Sequence, residues 1–170
     1  MTNPMTNPKI EKVTVNIGVG EGGDRLRKAE KLLEQLTKQK PVRTISKGTN
    51  RDFGIRKGMP IACKVTLRKE KAINFLKEAL WVRNHKLPAW SFDSQGNFSF
   101  GISDHTEFRE MKYEPEVGIF GMDVCVTMGK AGYRVKKRRI KRNKIPDRHR
   151  VSKEEAIEFI KKEFNVEVVE

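Results

Sequence analysis

The sequence predicts an α+β fold in which helices cover one face of a largely antiparallel sheet. Several short segments alternate apolar and polar residues, as strands with one buried face do. Longer segments carry apolar residues at helical spacing. The alternation also argues against a parallel sheet, because strands buried on both faces are apolar throughout. The second face of the sheet is therefore expected to remain open and polar.

Strands are predicted wherever this alternation is clear. Residues 10–19 place Val13, Val15, Ile17 and Val19 on one side. The same pattern recurs at 61–67, 98–102 and 122–128, and a short strand is expected at 42–45. Phe98 and Phe100 have the spacing of a base-stacking pair, but they share a register with Ile102, which favours the core.

Three helices are predicted. The first runs from Asp24 to about Lys38 and ends before Pro41, and the second spans 70–83. The third follows a capping box formed by Ser152 and Glu155, with Val151 and Ala156 placed as a hydrophobic staple, and runs to about Phe164. Pro88 and the stretch 91–97 are expected to form loop and turn.

Length and composition limit the class of protein. The chain has 170 residues, which predicts a single domain over 1–170 with a basic loop at about 44–59 and a basic segment at about 130–150. The longest apolar run has four residues, at 79–82, so no membrane partner is expected. The first residues lack the features of a signal peptide, although Met-Thr-Asn-Pro occurs twice there without an evident role.

The positive charge is concentrated in two segments. The net charge is +14, while residues 36–71 contribute +9 and residues 130–150 contribute +10. The remaining segments are close to neutral or slightly acidic. A surface that serves solubility mixes both signs, so two basic blocks indicate a polyanion, and nucleic acid is the favoured partner.

The open face of the predicted sheet suits such a partner. Its side chains are small hydroxyls, an amide and two cations: Thr14, Asn16, Lys64, Thr66, Arg68, Ser99 and Thr127. These groups can hydrogen-bond to phosphates and sugars across a flat surface.

The run Gly18–Gly23 offers an alternative, because it satisfies G-x-G-x-x-G between a strand and a helix. A small nucleotide-dependent enzyme would use this turn. One observation argues against this alternative. A dinucleotide-binding fold has an acidic residue at the end of the next strand to hold a ribose hydroxyl, but this sequence has Ser46 and Lys47 there. The three histidines are widely spaced and not near cysteines, so no metal, cofactor or catalytic site is predicted.

Six strings in order identify a known family. They are Thr14-Val-Asn-Ile-Gly-Val-Gly-Glu21, Gln39-Lys-Pro-Val42, Gly58-Met-Pro-Ile61, Lys64-Val-Thr-Leu-Arg68, Ser91-Phe-Asp-Ser-Gln-Gly-Asn97 and Gly121-Met-Asp123. Together they resemble the large-subunit ribosomal protein family that binds 5S rRNA, universal protein number five. The similarity extends from about Ile10 to Phe164, and the C-terminal part resembles the archaeal and eukaryotic branch.

This resemblance implies a non-catalytic structural protein of the large ribosomal subunit in the cytoplasm. Such a protein binds 5S rRNA in the central protuberance, attaches it to the large-subunit rRNA and lies among neighbouring ribosomal proteins. The family's 5S rRNA contacts correspond to Asn16, Gln39 and Thr66, beside which the cations Lys40, Lys64 and Arg68 are expected to bind rRNA. A basic RNA chaperone outside the ribosome remains an alternative.

The resemblance further implies that the basic loop contacts P-site tRNA. The expected tRNA-contacting residues are Lys47, Arg51, Phe53, Arg56 and Lys57. The second basic segment is assigned to rRNA backbone by charge alone, through Arg134, Lys136, Lys137, Arg138 and Arg139.

Overall fold

The structure, a computed structural model, describes residues 3, 5–109 and 111–169 and is built around a five-stranded sheet. The strands in chain order are β1 (Lys9–Gly18), β2 (Val42–Ile45), β3 (Pro60–Leu67), β4 (Lys86–Pro88), β5 (Phe98–Ile102), β6 (Met122–Gly129) and β7 (Glu167–Val169). The large sheet has the order β2-β3-β1-β6-β5, and every neighbouring pair is antiparallel. The predicted sheet is therefore confirmed.

The helices are α1 (Asp24–Thr37), α2 (Lys69–Val82), the single turn α3 (Arg134–Lys137) and α4 (Lys153–Phe164). In the sheet, β3 and β1 are neighbours, and α1 contacts β3 while α2 contacts β1. The predicted capping box at α4 is present, because the Ser152 hydroxyl accepts from the Glu155 amide and the Glu155 carboxylate accepts from the Ser152 amide. Val151 and Ala156, the predicted staple residues, are both buried.

The core lies between the helices and the apolar face of the sheet. Val13, Val15 and Ile17 of β1 are fully buried, and the apolar stripes of α1, α2 and α4 pack into the same cluster. Phe98 and Phe100 belong to this core, which confirms the prediction that they do not form a base-stacking surface. The amphipathic pattern thus leaves one face of the sheet without a covering layer.

The interpretation of Pro88 as part of a loop is wrong. Residues 86–88 form β4, which pairs in parallel with β7 near the C-terminal end. Three-residue strands are too short to show an alternating pattern, and their partner is remote in sequence. Pro88 is tolerated there because a proline without an N–H group is compatible with the edge of a sheet.

The topology also excludes the dinucleotide-binding fold. That fold requires parallel strands around the glycine-rich turn, whereas both neighbours of β1 are antiparallel to it. Among the described residues, no helix has the length and apolar character needed to cross a membrane.

Candidate nucleic-acid interface

The uncovered face of the sheet, called the open face below, carries polar side chains in register. Asn16 of β1 lies opposite Lys64 of β3 on one side and Asp123 of β6 on the other. The next row joins Thr66, Thr14 and Cys125. All of these side chains are exposed or half-buried. The predicted grouping of Asn16, Lys64 and Thr66 on one surface is confirmed.

Gln39 reaches this surface from the segment between α1 and β2. Helix α1 ends at Thr37, and its C-cap Lys38 adopts the left-handed conformation. The buried Thr37 hydroxyl donates to the Leu33 carbonyl oxygen at 2.6 Å and lies 3.3 Å from the Gln39 carbonyl oxygen. The Gln39 Nε2 then donates to the carbonyl oxygen of Thr66, also at 3.3 Å. The side-chain amide is thereby fixed beside Thr66 at the β3 edge of the open face.

The cations predicted to accompany these residues occupy different positions. Lys64 is exposed in the centre of the β3 side of the open face. Arg68 follows β3, and its Nη1 lies 3.9 Å from Oε1 of Glu11. Lys40 lies at the sheet edge in a hollow shared with Glu30 and Arg43. The three cations therefore do not form one cluster.

The basic loop at 44–59 is a hydrogen-bonded extension of the β2–β3 hairpin. Asn50 and Ile55 exchange two backbone hydrogen bonds of 2.8 and 2.9 Å, which close a tight turn at 51–54. At the base, the Ser46 amide donates to the Met59 carbonyl oxygen at 2.8 Å. The Thr49 hydroxyl accepts from the Lys57 amide. The loop is thus an ordered finger, which the sequence alone did not indicate.

The predicted tRNA-contacting residues are all exposed on this finger. Phe53 is 76% exposed at its tip, which is unusual for an aromatic side chain and leaves the ring available for stacking. The four predicted cations of the finger are exposed as well: Lys47, Arg51, Arg56 and Lys57.

The second basic segment is anchored by internal polar contacts. Lys130 is only 5% exposed, and its Nζ donates to the Arg150 carbonyl oxygen at 3.1 Å and pairs with Glu155 of α4 at 2.6 Å. The Tyr133 hydroxyl donates to the His149 carbonyl oxygen and accepts from the Val151 amide. These contacts close the segment into a loop against α4.

His149 takes part in the same anchoring. The half-buried ring places Nε2 2.8 Å from the Ala131 carbonyl oxygen and packs edge-on against Tyr133. His85 likewise lies in a structural contact, since its Nδ1 is 3.2 Å from the Phe164 carbonyl oxygen. Sequence proximity to Arg and Lys did not reveal these carbonyl partners.

The remaining cations of the segment point to solvent. Arg134, Lys136, Lys137, Arg138 and Arg139 are all exposed. Lys137 forms an ion pair with Glu11, the carboxylate that also faces Arg68. The segment therefore lies along the β1–β6 end of the open face, where it borders a cavity of about 650 Å³ lined in part by Thr127 and Lys136. The structure places the 44–59 finger and the second basic segment at opposite ends of one polar surface.

The turn Gly18–Gly23 serves the sheet. The amides of Val19 and Gly20 both donate to the Ile61 carbonyl oxygen, at 3.0 and 2.8 Å. Gly20 and Gly23 have positive φ angles of 81° and 100°, a conformation that favours glycine. The glycines are thus explained by a tight connection between β1 and α1.

Catalytic and metal chemistry find no support in the described residues. No group of three or more His, Cys, Asp or Glu side chains is placed to hold a metal ion there. Burial raises the pKa of the Cys63 thiol to about 11, with a smaller contribution from Glu30. Burial also raises the pKa of Cys125, with a further contribution from Asp123. Both thiols are therefore poor nucleophiles at neutral pH.

Taken together, a polar open face and two exposed basic elements define the class of protein whose surface is suited to RNA. Comparison with known families supports this class. The family model described as "Ribosomal protein L5" matches residues 3–56, and a second model, which describes the C-terminus of the same ribosomal family, matches residues 60–166.

Individual relatives agree over almost the whole chain. The chain is 54% identical to large ribosomal subunit protein uL5 of Thermoplasma volcanium, covering 98% of this chain and 99% of the relative. It is 57% identical to the uL5 protein of Sulfurisphaera tokodaii, covering 99% and 96% of the two chains. The uL5 protein of Methanococcus maripaludis is 56% identical, with 98% and 93% covered.

The chain therefore belongs to the ribosomal L5 family, as the six strings predicted, and these relatives are archaeal. Membership confirms the prediction of a structural protein of the large ribosomal subunit, located with that subunit in the cytoplasm. It also confirms that the chain is not an enzyme.

Proposed function

We propose that the chain binds 5S rRNA through the open face and attaches it to the large-subunit rRNA in the central protuberance. The observation that carries this proposal is the placement of Asn16 and Thr66 together on that face, with Lys64 opposite Asn16 and the Gln39 amide bonded to the Thr66 carbonyl oxygen. The family resemblance had assigned the 5S rRNA contacts to the same three polar residues.

The chemistry of the open face favours RNA over other polyanions. A folded RNA presents 2′-hydroxyls, base edges and phosphates together, and its helices are recognised largely through shape and backbone. Amide and hydroxyl side chains on a flat sheet can meet the hydroxyls and base edges, while Lys64 and Arg68 meet phosphates. A purely electrostatic surface would not need the neutral centre.

The basic finger at 44–59 is proposed to contact P-site tRNA. Its internal hydrogen bonds hold the cations and Phe53 in a projecting position. A preordered finger loses less conformational entropy on binding than a mobile loop would. The finger and the open face are therefore proposed to have separate RNA partners.

The second basic segment is proposed to bind the rRNA backbone, which would let one protein touch two RNA molecules. Arg134, Lys136 and Arg138 are exposed, whereas Lys130 is used to hold the segment in place. Neighbouring ribosomal proteins are expected to cover other parts of the surface.

The test compares two triple variants in one experiment. The face variant carries Asn16→Ala, Gln39→Ala and Thr66→Val, and the finger variant carries Arg51→Gln, Arg56→Gln and Lys57→Gln. Filter binding measures the affinity for 5S rRNA and for an unrelated RNA of similar length at fixed salt. Reconstituted large subunits carrying each variant are then assayed for P-site tRNA binding.

The face variant is expected to lose at least about tenfold in 5S rRNA affinity, since each well-placed polar contact contributes around 1 kcal/mol. The finger variant is expected to bind 5S rRNA almost normally but to weaken P-site tRNA binding. Each variant serves as the control for the other, and circular dichroism checks that both are folded. Unchanged 5S affinity in the face variant would overturn the assignment.

The unrelated RNA separates the two remaining RNA-binding alternatives. A ribosomal 5S-binding protein prefers 5S rRNA at every salt concentration, because neutral hydrogen bonds add to the electrostatic attraction. Equal affinity for both RNAs would instead indicate a general RNA chaperone.

A further inference from the structure

Asp123 is an exposed carboxylate on the open face. It lies opposite Asn16 of β1 and Gly101 of β5 in the sheet register, one strand away from the β1–β3 pair that carries Asn16 and Lys64. A negative charge at this position repels phosphates, which weakens the binding of any RNA that lies on this face. Nonspecific attraction between a basic protein and RNA therefore does not explain why a carboxylate lies on this face.

Asp123 differs from Glu11, the other acidic side chain bordering this surface. Glu11 is neutralised by Arg68 and Lys137. For Asp123, by contrast, the described part of the chain supplies no Lys, Arg or His nitrogen within 4.0 Å. Both of its oxygens are therefore available to accept hydrogen bonds from a ligand.

The space beside this carboxylate is open because Gly101 has no side chain. A Cβ atom added to Gly101 would lie 3.9 Å from the Asp123 Oδ1, so the carboxylate leans over the glycine. Glycine in the interior of a strand lowers its stability and often marks a place where a ligand approaches closely. The neighbouring side chain on this face of β5 is the small Ser99.

We infer that Asp123 reads the Watson–Crick edge of an unpaired guanine that lies over Gly101, and that it thereby contributes to RNA specificity. This inference rests on the proposed binding of RNA by the open face. Guanine presents two adjacent donors on that edge, N1–H and N2–H, which match the two oxygens of a carboxylate. On the same edge adenine, cytosine and uracil have only one donor position each, with an acceptor beside it that the second carboxylate oxygen would repel.

The pairing has the strength that such a role requires. Hydrogen bonds to an ionised carboxylate are roughly twice as strong as neutral ones. Sequence-specific RNA recognition targets unpaired bases in loops and bulges, whose Watson–Crick edges are accessible. The cost of phosphate repulsion is then offset only in the RNA that places a guanine at this point.

The sign of a mutational effect tests the inference. Asp123→Asn preserves the size of the side chain but replaces one acceptor by a donor that faces an N–H group. It is expected to lower 5S rRNA affinity about 10- to 100-fold, the range of one bidentate base contact. Its affinity for unrelated RNA is expected to stay equal or to rise.

Gly101→Val is a second variant, which tests the space beside Asp123 without changing the charge of the protein. A β-branched residue suits a strand, and on the open face it fills the space over β5. It is expected to weaken 5S rRNA binding as Asp123→Asn does. Asp24→Asn, at the exposed start of α1, is the matched control for the change of charge and is expected to leave 5S affinity within about twofold.

Kethoxal, which modifies N1 and N2 of unpaired guanine, identifies the base directly. Wild-type protein is expected to protect a reactive guanine of 5S rRNA that becomes reactive again with Asp123→Asn. Tighter binding of 5S rRNA by Asp123→Asn, or an unchanged protection pattern, would overturn the inference about Asp123. Neither result would contradict the proposed binding of 5S rRNA by the open face. Failure of the wild-type protein to bind 5S rRNA would overturn the proposed function itself.

Discussion

Among single residues, the buried His105 fixes the segment that leads from β5 to β6. Its ring is 1% exposed, and Nδ1 accepts a hydrogen bond from the Phe120 amide at 3.3 Å. Its own backbone amide donates to the Phe120 carbonyl oxygen at 3.2 Å. Burial lowers the pKa of His105, although the nearby Asp104 and Glu114 oppose this effect. The folded protein therefore keeps the ring neutral at neutral pH.

This burial predicts a pH-dependent stability. The unfolded chain takes up a proton at the ordinary pKa of about 6.5, whereas folded His105 resists protonation. Its contribution is thus complete above pH 6.5 and is lost as the pH falls below that value, by up to about 1.4 kcal/mol per pH unit. Urea unfolding of wild-type protein and His105→Asn at pH 7.5 and 5.5 measures the effect.

The asparagine variant keeps an acceptor near the Phe120 amide but cannot titrate. It is expected to lose less free energy of unfolding than wild type between the two pH values. Every other titratable group is the same in both proteins, so the difference between the two slopes of unfolding free energy against pH isolates the contribution of His105. Identical slopes would contradict the prediction.

For single residues, the sequence predicted the face of the sheet on which a side chain lies better than it predicted the burial and the partners of that side chain. A period of two assigns Asn16, Lys64 and Thr66 to one face, whatever packs on the other side. The burial of Lys130 could not be predicted in the same way, because its partner Glu155 belongs to a helix that folds back from later in the chain. Charge in a sequence does not distinguish an exposed cation from an anchoring one.

Among the elements, the turn at 93–97 joins the sheet to the start of α4. The Asp93 Oδ1 accepts from the amides of Gln95 and Asn97 at 2.8 and 2.7 Å. The Asn97 Oδ1 accepts from the Met128 amide of β6 at 3.1 Å. Gly96 forms the contact with α4, and it has a positive φ of 71°. The turn therefore has a packing role in addition to reversing the chain.

Gly96→Ala is expected to lower the free energy of unfolding by about 2–4 kcal/mol. The added Cβ would lie 2.7 Å from Cγ1 of Val151 and 3.0 Å from Cβ of Ala156, and the backbone conformation disfavours any side chain. Chemical unfolding in urea measures the loss. Gly48→Ala is the matched control, because its Cβ would meet no atom within 4 Å. Equal stability of the two variants would contradict this account.

The strands and helices that the sequence predicted are those long enough to repeat the spacing of apolar residues several times. β1 and α1 were predicted to within about one residue, since ten and fourteen residues give repeated apolar positions. β4 and β7 were missed because three residues show no period and because their pairing depends on where both segments lie after folding. The hairpin structure of the 44–59 finger was missed for a related reason, since its hydrogen bonds are made by backbone and polar groups.

In the whole molecule, most of the net charge of +14 lies outside the centre of the open face. The open face has a mostly neutral centre, while the finger and the second basic segment lie at its ends. Charged contacts to RNA release counterions and are therefore sensitive to salt, whereas hydrogen bonds from neutral side chains are much less so. The arrangement predicts that affinity and salt dependence can be changed independently.

Replacing Lys136, Arg138 and Arg139 together by glutamine tests this separation. If these cations neutralise three phosphates of the large-subunit rRNA, the slope of log affinity against log salt becomes shallower by about 2–3. The variant with Asn16→Ala, Gln39→Ala and Thr66→Val is the control, since it is expected to lower 5S rRNA affinity by the same factor at every salt concentration. Filter binding to both RNAs from about 50 to 300 mM salt measures the slopes. An unchanged slope in the glutamine variant would show that the segment does not contact the rRNA backbone, because phosphate contacts cannot be lost without a loss of counterion release.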